Sequence, residues 1–172
     1  MNDDLYEQLA IALDRLPNGF PRTLARTEIK LLKWIFSPDE ALLASQLTGT
    51  MEQIDVISNR VGLDPDELNQ KLMKMAERKL IKYDSKAQKP KCRLSPFIVG
   101  IYEAQKDNMD HEFAHLFEKY MADGGAVGIM KPQPALHRVV PSHGTVRSEW
   151  ILPYDDVKAV MQSSKAFRVQ TC

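Results

Sequence analysis

Residues 37–94 constrain the fold more than any other stretch of the chain. Ser37-Pro38-Asp39-Glu40 has a capping serine, a proline at the first helical position and a glutamate at the third, so it opens a helix. Thr50-Met51-Glu52-Gln53 reads as a second capping box, opening a helix with Met51, Ile54, Ile57 and Val61 on its apolar face. Asp64-Pro65-Asp66-Glu67 opens a third, with Leu68, Leu72, Met75 and Ala76 on its face. Gly62-Leu63 lies between the last two helices and supplies glycine where a helix should end. Two short helices joined by such a turn form a helix-turn-helix. After Lys79, LIKYD and KCRLS read as two short strands around the polar tip SKAQKP. A helix-turn-helix followed by a hairpin is a winged helix. The expected fold is therefore mainly α with a small β-hairpin, a winged helix with flanking helices and an extended C-terminal connector.

The flanks are set by periodicity. Leu5, Leu9, Ala12, Leu13 and Leu16 recur at helical spacing, and PNGFPRT breaks that helix. EIKLLKWIF is a second apolar helix, with Ile29, Leu32, Ile35 and Phe36 on or near one face. Ser95-Pro96 starts another helix, PFIVGIYEAQ. A further one carries HEFAH and ends near Asp123-Gly124-Gly125. From there to about Arg147 the chain is rich in proline and glycine and reads as an extended connection. Pro153 opens a last helix, PYDDVKAVMQSS, and AFRVQ reads as a strand. Residues 1–105 are expected to form the winged-helix-like domain with its flanking helices. Residues 106–172 are expected to hold the HEFAH helix, the proline- and glycine-rich connector and the C-terminal helix and strand.

Composition excludes several classes. Twenty-three Lys and Arg balance twenty-three Asp and Glu, so no global positive charge pulls the chain onto nucleic acid or an anionic membrane. No apolar run is long enough to span a bilayer, and the acidic N-terminus MNDDLYEQLA is unlike a secretory signal. Two cysteines, Cys92 and Cys172, make no disulfide framework, so a reducing cytoplasm is the expected setting.

HEFAH, residues 111–115, spells the zinc-peptidase pattern, with His111 and His115 as ligands and Glu112 as the base. A catalytic zinc needs a third protein ligand. The extended pattern fails, because residues 118 and 121 are Glu and Met instead of Gly and His. Glu118, His137, His143 and Glu149 are the nearby alternatives. Phe113, Leu116, Phe117, Tyr120 and Met121 form one stripe, which turns both histidines toward the opposite side. The expectation is a solvated helix face, with incidental metal capture favoured over catalysis, and no enzyme.

A DNA-reading helix-turn-helix presents the start of its second helix to bases and phosphates. Here that start carries Asp64, Asp66 and Glu67, which repel phosphate and suit the helix dipole instead. The hairpin differs, because Lys82, Lys86, Lys89, Lys91 and Arg93 make it locally positive. A DNA-binding regulator that uses this wing is the alternative to a protein-interaction module.

YEQLAIALDRLPNGFPRT, EIKLLKWIFSPDEALLASQLT, ERKLI, SPFIVGIYE, DHEFAHLFEKY, PALHRVVP and ILPYDDVKAVM form an ordered series over nearly the whole chain. The series resembles a family of bacterial and archaeal iron–sulfur proteins. In that family a winged-helix-like N-terminal part precedes a ferredoxin-type domain with two 4Fe–4S clusters. The resemblance implies that residues 106–172 end in the start of a truncated ferredoxin-type domain. It matches Cys172 to the first cluster ligand, in a stretch that the family continues as Cys-x-Cys-Arg. A 4Fe–4S cluster usually takes four thiolates, and the family shows no ligand at the position of Cys92, so this chain is expected to hold no cluster by itself. The longer protein would carry electrons. Its winged helix would position a partner oxidoreductase, or its own ferredoxin domain, through protein contacts.

Overall fold

The structure, a computed structural model, describes residues 2–129 and 154–166 of the 172-residue chain. It divides into two compact units, residues 1–136 and 137–172. The first is mainly helical with one small antiparallel sheet.

Helix α1 (Asn2–Asp14) places Tyr6, Leu9, Ala10 and Leu13 at helical spacing, and all four are buried. It packs against α2 (Thr27–Ile35) and α3 (Pro38–Ser45). The break between α1 and α2 is more than a spacer. Gly19 takes a left-handed φ of 64°, and the Phe20 amide donates to Asp14 Oδ1 at 2.8 Å. Phe20 is thereby turned into the core beside Phe97 and Tyr120, with ring centroids 4.4 and 5.3 Å away. Buried Glu28 closes the segment by accepting from the Thr23 amide and hydroxyl, at 3.1 and 2.6 Å. A buried carboxylate needs such donors.

Ser37 caps α3 in the expected reciprocal box: its Oγ accepts from the Glu40 amide, and the Glu40 carboxylate accepts from the Ser37 amide. The next segment departs from expectation. Thr50 does not cap a helix. Strand β1 (Glu52–Gln53) comes first, and helix α4 (Ile54–Val61) begins after it with no side-chain cap. The Glu52 carboxylate, free of a capping role, accepts from both Arg60 Nη atoms at 2.9 Å and from Thr48 Oγ1 at 2.7 Å. Arg60 foremost, against burial, holds the Glu52 carboxyl below its ordinary pKa.

Gly62, with φ 71°, ends α4, and Asp64 caps α5 (Pro65–Glu77) by accepting from the Asp66 and Glu67 amides. Leu68, Leu72 and Met75 of α5 pack into the core with Ile54 and Ile57. Strands β2 (Ile81–Asp84) and β3 (Lys91–Leu94) come next as an antiparallel pair, with Tyr83 opposite Cys92 and Lys82 opposite Arg93. β1 joins the free edge of β3, giving the order β1-β3-β2. Period-2 alternation sends Ile81, Cys92 and Leu94 to the core and leaves Lys82 exposed.

Beyond the sheet, the expected helix over PFIVGIYEAQ is mostly absent. Ile98 is extended and Val99 is left-handed, with φ 58°. Only Tyr102–Ala104 (α6) is regular helix. The Glu103 carboxylate accepts from the Val99 and Gly100 amides, at 2.8 and 2.7 Å, which stabilises this wide turn. Helix α7 (His111–Tyr120) starts on an Asp110 cap and packs on α2, where Trp34 stacks on Phe113 at 4.1 Å. After a wide turn at Met121–Gly125, a further helical turn, α8 (Ala126–Ile129), occupies residues expected to be extended.

In the second unit, α9 (Tyr154–Ser163) is the helix expected after Pro153. The connector expected up to Arg147 lies, from Met130 onward, outside the described residues, as does AFRVQ apart from Ala166.

Candidate interaction surface

Helix α5 packs along β2, so the hairpin stands beside the helix that would read DNA. Asp64, Asp66 and Glu67 are all exposed at the start of α5. Asp64 is engaged as a cap, and Glu67 pairs with Lys71 at 2.7 Å. Tyr83 of β2 ties the hairpin to the helix by donating to Asn69 Oδ1 at 2.6 Å.

The five basic residues of the hairpin do not form one free patch. Lys82 and Lys86 are exposed. Lys89 is paired with Asp55 of α4 at 2.6 Å. Lys91 and Arg93 are half-buried, and Arg93 Nη1 donates to the Gly49 carbonyl at 3.3 Å. Asp84 stands opposite Lys91 in the register, adding a carboxylate beside the cations. The positive charge read from the sequence is therefore partly neutralised within the fold.

Large apolar side chains are exposed on three neighbouring helices in the sequence: Leu42 of α3 by 52%, Val56 of α4 by 51% and Met73 of α5 by 46%. Sequence periodicity missed these. Leu42, Leu43, Val61 and Leu63 also line a cleft of about 410 Å³ rimmed by Asp39 and Lys71.

His111, Glu112 and His115 are exposed on α7, on the side away from buried Phe113 and Tyr120, as the stripe implies. The imidazole centroids lie 4.3 Å apart with the rings nearly perpendicular, and His115 Nδ1 is 3.3 Å from Glu118 Oε2. Among the described residues no three His, Cys, Asp or Glu side chains group as metal ligands. His137, His143 and Glu149, the other sequence candidates, lie outside the described residues.

Cys92 is fully buried on β3, and burial pushes its thiol up to about 12, so it is an inert core side chain in this fold. Cys172, the residue matched to a cluster ligand, lies outside the described residues. No helix among the described residues is long and apolar enough to cross a membrane. Comparison with family models, with curated proteins and with solved structures returns no match for the chain.

Proposed function

We propose that the chain is a winged-helix module that works through protein contacts, as the N-terminal part of a ferredoxin-type 4Fe–4S electron-transfer protein. The order helix, strand, helix, turn, helix, hairpin supports the winged-helix reading, and so does the first strand pairing with the last. The observation that carries the choice of partner is the exposed acidic start of α5, in the place where a DNA reader presents donors to phosphate. Exposed Leu42, Val56 and Met73 add the apolar area that a protein interface uses. The iron–sulfur part of the reading rests on the ordered resemblance and on Cys172, and no catalytic step is assigned to this chain. In this reading its partner is an oxidoreductase or the protein's own ferredoxin domain.

The test is the coding sequence past Cys172 and its product, made without oxygen. Closely spaced cysteines, bound iron and absorbance near 400 nm are expected. A product without iron overturns the electron-transfer role.

Exposed Lys82 and Lys86 favour a second reading, a DNA-binding regulator that grips the backbone with its wing. Salt-sensitive duplex binding separates it from the first.

A further inference from the structure

We propose that His111 and His115 together form an exposed two-point site for a divalent ion of the zinc, nickel or copper type. The site is independent of the winged-helix reading and is not a hydrolytic centre. Residues four apart on a helix share one face, and here both rings are exposed and already adjacent, 4.3 Å between centroids. Two histidines four apart on one helix face are the spacing from which two imidazole nitrogens reach a single zinc ion, at roughly 2.0–2.1 Å each.

A neighbouring carboxylate chooses the nitrogen. Glu118 Oε2 lies 3.3 Å from His115 Nδ1, so the carboxylate holds that ring and leaves Nε2 for the ion. His111 is the first residue of α7, where the positive end of the helix opposes a cation. Asp110, Glu112 and Glu118 set carboxylates against that charge, while Lys30 and Lys33 of α2, which line the same cleft as Glu112 and His115, add to it. The nearest lysine on the helix, Lys119, is itself paired with Asp123 at 3.1 Å. Imidazole donors select zinc, nickel and copper over magnesium and calcium. With two protein donors the remaining positions go to water, so the ion exchanges readily and tightens the first turns of α7.

The test is calorimetric titration of the full chain, free of any histidine tag, with Zn2+, Ni2+ and Mg2+. His111→Asn, His115→Asn and Glu118→Gln variants are compared. All three positions are exposed, so the variants keep the wild-type circular dichroism. The site predicts Zn2+ and Ni2+ binding that each histidine variant weakens at least about tenfold, a smaller loss in Glu118→Gln, and no heat with Mg2+. In NMR, Zn2+ shifts the imidazole signals of His111 and His115 ahead of those of His137 and His143. Binding unchanged in either histidine variant, binding of Mg2+ at comparable strength, or no Zn2+ heat up to millimolar concentration overturns it.

Discussion

Lys79 sits with φ 59° just past the end of α5, where its amide donates to the Ala76 carbonyl and the Leu80 amide to the Met75 carbonyl. This is a helix stop that normally uses glycine, because a side chain makes left-handed backbone costly. Lys79→Gly should raise stability by about 1 kcal/mol in a denaturant titration; a loss of stability contradicts the assignment. Gly125 must stay without a side chain, for a reason of space and not of backbone conformation. A Cβ there would lie 2.6 Å from the Tyr120 ring, which is buried and donates to the Pro21 carbonyl at 3.2 Å. Gly125→Ala should cost about 1–3 kcal/mol. Cys92 gives a chemical check. In a Cys172→Ser background the folded protein should resist alkylation at pH 8, and denaturant should release one reactive thiol. Rapid labelling of the native protein contradicts the burial.

At the scale of elements, most of the helices were legible because local signals agreed with burial. Ser37 and Asp64 cap where expected, Gly62 turns where expected, and the α5 face Leu68, Leu72 and Met75 is buried as read. β1 was illegible because Thr50-Met51-Glu52-Gln53 spells a capping box. Strand pairing with β3, a contact with residues forty positions away, overrides that local preference. The turn at Val99 was hidden for a similar reason: its strain is offset by Glu103, which helical periodicity cannot show. Of the candidate surface, the acidic α5 start was legible. The internal pairing of Lys89 and the exposure of Leu42 were not, since both depend on tertiary placement. The Glu52–Arg60 pair links β1 to α4, and its pH dependence has a definite sign. Glu52 has a folded pKa below its unfolded value near 4.5, so its stabilisation is complete above that value and is lost as pH falls through the folded value. Glu52→Gln should flatten the acid limb of the stability curve below pH 4.5 and lower neutral stability by about 1 kcal/mol or less. An unchanged acid limb contradicts the linkage.

For the whole molecule, the balance of twenty-three cations and twenty-three anions leaves local placement to decide what the surface attracts. In the first unit that placement puts carboxylates at the start of α5, pairs one hairpin lysine internally and exposes apolar side chains on α3, α4 and α5. In the proposed reading these features serve a protein partner and not a polyanion. The most direct test is fluorescence anisotropy of a labelled random-sequence DNA duplex, titrated with the full chain at low and at raised salt. A protein-facing module gives no saturable binding at either salt, and Lys82→Glu with Lys86→Glu changes nothing. Saturable binding at low salt that falls steeply with added salt, and that the double variant abolishes, contradicts it.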